Sequence, residues 1–168
     1  MFVQHIRGLA IAISILALHS PAFAQSALPS NLRVAPMYRA LVESMADRSP
    51  TFRRQLLRIA NEPQLTIDLD VVLRIVGARA VTQMVRQADG LTARIQVTRL
   101  DDVVELIAHE IEHVIEQIDG VDLAAYAGQP GTGVYTVAAG GMVFETVRAT
   151  RMGVVVAQEV RAASPRRI

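Results

Sequence analysis

Val103-Val104-Glu105-Leu106-Ile107-Ala108-His109-Glu110-Ile111-Glu112-His113-Val114-Ile115-Glu116-Gln117-Ile118 decides how this chain is read. At about 100° per residue the stretch sorts into three arcs of one helix. Val103, Val104, Ile107, Ile111, Val114, Ile115 and Ile118 form a wide apolar stripe. Glu105, Glu112, Glu116 and Asp119 gather opposite it, where a solvated face is expected. His109, His113, Leu106 and Glu110 lie between the two, at the border of core and water. Asp101 or Asp102 is placed to cap the helix, and Gly120 to end it.

The pattern changes period upstream. Leu91, Ala93, Ile95 and Val97 alternate with Thr92, Arg94, Gln96 and Thr98, as in a strand with one buried face. Asp89-Gly90 is a hairpin signal, and residues 79–87 around Val81, Met84 and Val85 supply the other arm. Leu65, Ile67 and Leu69 alternate in the same way, so a small antiparallel sheet ending in a hairpin is expected. Before it, Ser49-Pro50 reads as a cap with proline at the first helical position. It separates two N-terminal helices, one carrying Met37, Leu41, Val42 and Met45, the other Phe52, Leu56, Leu57 and Ile59. Downstream, a glycine-rich stretch from Gly128 to Gly141 precedes a last helix from about Met142 to Ala162. Gly153 weakens that helix by roughly 1 kcal/mol relative to alanine. The fold class is α+β, in one domain over residues 36–162, with a linker at 25–35 and a polar tail at 163–168.

Composition narrows the function. The chain of 168 residues has no cysteine, which excludes a disulfide framework and a thiolate metal site. Residues 1–24 read as a secretory signal: His5 and Arg7, an apolar run from Gly8 to Leu18, and an Ala-x-Ala site with cleavage after Ala24. The run is too short for a comfortable membrane span, so no stable span is expected after cleavage. A secreted or periplasmic location follows. Beyond Ala24, arginines and acidic residues are equal in number and interspersed, and no basic stripe points to nucleic acid. Nothing in the sequence fixes an oligomeric state.

No histidine other than His109 and His113 remains beyond residue 24, and the two lie four apart. Residues at that spacing stack on one helix face, where two imidazoles can grip one cation. Glu110 points about 100° away from His109 and can reach a water on that cation without ligating it. Such a site takes three protein ligands, so the third must be a carboxylate. Glu145 sits in the apolar segment Val143-Phe144-Glu145-Thr146-Val147 at the expected start of the last helix. Burying it there is costly unless a cation meets it. Asp119 is the alternative ligand, but Glu116, a good helix former, keeps the helix going and carries Asp119 to the wrong face. Both stay open on this reading.

His109-Glu110-Ile111-Glu112-His113 is HExxH, and with the preceding hairpin and the later Phe144-Glu145-Thr146 it resembles the zincin metallopeptidases, specifically the gluzincins, over roughly residues 64–160. Small secreted bacterial proteins of this layout look similar. The chain is short for that family, whose members usually carry a further subdomain walling the cleft. Asp119 would instead fit a metzincin-like string, which needs glycine where Glu116 stands; Met142 after Gly140-Gly141 would then imitate its Met-turn. The gluzincin resemblance implies a Zn²⁺ cofactor held by His109, His113 and Glu145, with Glu110 as general base in peptide-bond hydrolysis. It implies a peptide or protein substrate paired with an edge strand, for which residues 91–98 are the candidate. Tyr135 and Arg148 are candidate oxyanion donors, and Arg148 could instead orient Glu145. The competing reading is a secreted metal-binding or partner-binding protein on a zincin scaffold, without catalysis.

Overall fold

Ser49 stands at the joint of the first two helices and caps the second: its Oγ accepts the Phe52 N–H at 2.9 Å. Prolines open both helices, α1 (Pro36–Arg48) and α2 (Pro50–Ala60). The computed structural model describes residues 28–88, 90–98, 102–137 and 143–164. Around these helices lie β1 (Leu32–Val34), β2 (Leu65–Val72), β3 (Ala80–Gln87) and β4 (Gly90–Thr98). Then come α3 (Val103–Ile118), the single turn α4 (Leu123–Tyr126), the hairpin β5 (Val134–Val137) and β6 (Val143–Thr146), and α5 (Val147–Ala162). The fold is α+β, as expected. The signal segment 1–24, Asp89, Asp101, Gly140 to Met142 and most of the tail lie outside the described residues.

The sheet corrects the antiparallel expectation. Its order is β1-β2-β4-β3, and β1, β2 and β4 run parallel. Only the β3–β4 hairpin is antiparallel, closing at Gln87↔Gly90. The link 73–79 carries β3 outward, and β4 returns between β3 and β2. There the register Ile67↔Ala93, Leu69↔Ile95 and Val71↔Val97 joins apolar rows on one face. Gly90 begins β4 against the chain entering β2, where a Cβ would lie 2.2 Å from the Gln64 carbonyl oxygen. The clean alternation of β2 and β4 arises because helices cover one face only. The other face is open and carries Arg33–Asp68 and Arg94–Asp70 pairs, each at 3.7 Å. The segment expected as a linker also departs from expectation. Leu32 and Val34 are buried in β1, which pairs with β2 through Leu32↔Ile67 and Val34↔Leu69.

One core joins α1, α2, α3 and Val156 of α5 to the inner face of the sheet. Phe52, Met45, Ile59, Ile67, Ile95, Ile107 and Ile111 are among its largest sealed side chains. Met37 and Leu57, expected in the helical stripes, are exposed instead. The helix α3 has no solvated back. Glu112 and Glu116 are buried, because α2 and the β6–α5 junction cover the arc expected to face water. Among the described residues, no helix is long and apolar enough to cross a membrane.

Candidate metal centre

Helix geometry places His109 and His113 one turn apart on α3, and β6 delivers Glu145 opposite them. The His109 and His113 Nε2 atoms are 3.1 Å apart. Glu145 Oε2 lies 3.0 Å from His109 Nε2 and 3.6 Å from His113 Nε2. Among the described residues this trio is the one set of three potential metal ligands whose donor atoms converge, all within 4.8 Å of one another. Four donors arranged tetrahedrally around zinc at ~2.0–2.1 Å would be about 3.3 Å apart. The observed triangle brackets that spacing, and two imidazoles with a carboxylate are a donor set zinc takes. Glu145 sits on the strand before α5, not on the helix as expected, with Thr146 between it and the first helical residue.

The charges are tuned around these donors. Burial disfavours a charged His113, but the Glu116 and Glu145 carboxylates outweigh it and push its pKa up to about 9. Burial likewise acts to raise Glu145, yet His109 and His113 hold it down at about 2. A proton thus occupies the electrostatic position that a divalent cation would take over.

Glu110 is only 5% exposed. Burial raises its pKa above the ordinary carboxylate value, against the Thr82 hydrogen bond and the neighbouring His113 and His109. Thr82 Oγ1 of β3 donates to Glu110 Oε2 at 2.7 Å. That contact makes β3, an edge strand, the neighbour of the site. The candidate docking strand 91–98 is β4, which lies inside the sheet between β2 and β3 and has no free edge.

The remaining candidates separate. Tyr135 pairs directly across the hairpin from Glu145, which puts both side chains on one face of the ribbon, and it is exposed. Among the described residues, Arg148 makes no hydrogen bond or ion pair with Glu145. Its Nε donates to Glu112 Oε1 at 2.6 Å, and its terminal nitrogen to Asp119 Oδ2 at 2.9 Å. Asp119, at the end of α3, also accepts from Arg58 at 3.3 Å, so its carboxylate is taken up by two guanidinium groups outside the converging trio.

Residues the sequence reading passed over surround the trio. Gln55 of α2 donates to Glu112 Oε2 at 2.7 Å. Glu116 accepts from Thr146 and lies within hydrogen-bond distance of His113 Nδ1. The i, i+3 spacing of His113 and Glu116 was a usable signal; the parts played by Thr82 and Gln55 depend on tertiary placement and left none. Comparison with protein-family models, curated proteins and solved structures gives no match for this chain.

Proposed function

We propose that this protein is a zincin-like zinc metallopeptidase of the gluzincin type, exported by its N-terminal segment and acting on peptides or proteins. The convergence of His109, His113 and Glu145 carries the reading, since it unites two elements around one donor triangle of zinc dimensions. Zinc bound there would activate a water and polarise the scissile carbonyl. Glu110 accepts the proton of the attacking water and returns it to the leaving amine; its raised pKa suits a group that must do both. Tyr135, paired with Glu145 across the hairpin, is the candidate donor to the developing oxyanion. An extended substrate would add to the edge of β3, the strand whose Thr82 holds Glu110.

One observation favours the non-catalytic alternative: Glu110 is nearly sealed and already hydrogen-bonded to Thr82. Two measurements test the proposal, the first its metal and the second its catalysis. Elemental analysis of the purified protein is expected to give about one zinc per chain. Glu110→Gln is expected to keep the zinc and to lower hydrolysis of a fluorogenic peptide library by roughly 10²–10⁴-fold. Absence of zinc binding rejects the metal reading, whereas zinc without hydrolysis in the wild-type protein supports the alternative.

A further inference from the structure

Glu116 is, with Glu112, a buried acid of α3 that hydrolysis does not use. It is 2% exposed, and among the described residues no arginine pairs with it. A carboxylate so enclosed is costly unless every oxygen is satisfied. Its Oε2 lies 2.9 Å from His113 Nδ1. Its Oε1 accepts from Thr146 Oγ1 at 2.7 Å. The ring's direction follows from the metal reading: with His113 Nε2 as the ligand atom, the ring proton falls on Nδ1, where Glu116 Oε2 is the acceptor. The Thr146 oxygen already accepts the Ala149 N–H at 2.9 Å as the cap of α5, and its hydroxyl proton goes to Glu116.

One carboxylate therefore touches the ring of one candidate ligand and the residue next to another. We infer that Glu116 is a positioning residue that sets His113 with its Nε2 lone pair toward the cation and clamps β6 so that Glu145 arrives opposite. The inference rests on the metal reading above. Glutamine has the same shape and lacks the second acceptor. Its amide NH₂ would face either the ring N–H or the threonine O–H, and one of them must turn away. If the ring yields, its proton moves to Nε2, where the cation belongs.

The test measures Zn²⁺ affinity by competition with a chromophoric chelator, alongside ¹H–¹⁵N spectra of the histidine ring N–H groups in the zinc-loaded protein. Wild type is expected to show a slowly exchanging, downfield His113 Nδ1–H. Glu116→Gln is expected to bind zinc 10–100-fold more weakly and to lose that signal, as removal of a ligand's supporting partner does. Thr146→Val is expected to weaken zinc binding while keeping the signal, because it breaks the clamp on β6 and the α5 cap but leaves the Glu116–His113 contact; Thr146→Ser, which keeps both hydroxyl contacts, is expected to restore the affinity. A Glu116→Gln protein that binds zinc within about threefold of wild type, well short of that loss, with the ring signal unchanged, overturns the inference and leaves the metal reading standing. Wild-type protein that binds no zinc overturns both. Should Glu116→Gln not fold, the wild-type spectrum and Thr146→Val decide: a rapidly exchanging His113 Nδ1–H, or a Thr146→Val affinity equal to wild type, counts against the inference.

Discussion

Gly153 of α5 meets His109 of α3 with no side chain between them. A Cβ on Gly153 would stand 3.2 Å from His109 Cβ and 2.8 Å from the Glu105 carbonyl oxygen. Interaxial distance depends on the side chains at the crossing, and glycine allows the smallest. The residue that weakens α5 as an isolated helix is the one that lets α5 lie against the histidine face, and β6 leads directly into α5.

Gly153→Ala sets two effects against each other. Alanine gains about 1 kcal/mol of helix propensity. The added methyl meets a backbone oxygen, which cannot swing aside as a side chain can, and overpacking costs about 1–3 kcal/mol. The clash is expected to win, lowering the thermal midpoint by a few degrees, about 2–5 °C for a domain of this size. Zinc affinity should fall with it, because α5 moves away from His109. A midpoint equal to or above wild type would show that the two helices have slack.

Arg148 is expected to act on stability through Glu112. Removing Arg148 leaves the buried Glu112 carboxylate with Gln55 alone. The loss of one partner from a fully sealed pair costs about 3–5 kcal/mol. Arg148 is 42% exposed on its side chain, so solvent screening reduces the expected cost of Arg148→Ala to about 1–2 kcal/mol. In a Glu112→Gln background the same substitution should cost about 1 kcal/mol less, a coupling readable from denaturant midpoints in a double-mutant cycle. Strict additivity would mean that the pair contributes nothing as a pair.

Glu159 gives a pH dependence of definite sign. Burial acts to raise its pKa, but hydrogen bonds from Ser49 Oγ, the Thr51 N–H and the Thr51 hydroxyl lower it below the ordinary value of 4.5. A group with a depressed folded-state pKa contributes stability above the unfolded value and loses it as pH falls through the folded one. The stability difference between wild type and Glu159→Gln should therefore be full at neutral pH and shrink below pH 4.5. A difference that holds constant down to pH 3, well past the unfolded value, would remove Glu159 from the linkage.

The sequence was most legible where pattern and chemistry coincide. Ser49-Pro50, the alternating rows of β2 and β4, and the His109/His113 face could all be read because each depends on near neighbours in the chain. Strand direction could not. Alternation reports how many faces of a sheet are covered, and β2 and β4 alternate although parallel because their outer face carries Asp68, Asp70 and Arg94 in the open. The buried acids were misread for a related reason. Glu112 and Glu116 look solvated on a helical wheel, and only the arrival of Gln55, Arg148 and Thr146 from distant segments makes their burial tolerable.

Zinc should stabilise the folded chain, and the set of variants that abolish the effect names the ligands. A cation bound only by the native state adds RT ln(1 + [L]/Kd), about 2.7 kcal/mol at a hundredfold excess over Kd. Wild-type protein stripped by a chelator and then given zinc should recover a thermal midpoint several degrees higher. Glu145→Ala and His113→Ala are expected to lose that gain, since each removes one corner of the donor triangle. Asp119→Ala is expected to keep it, although its own midpoint will drop because Arg58 and Arg148 lose their shared partner. The comparison reads the zinc-induced shift, not the absolute midpoint, so a variant that is merely unstable is not mistaken for one that cannot bind. Retention of the shift in Glu145→Ala together with its loss in Asp119→Ala would move the third ligand to the end of α3.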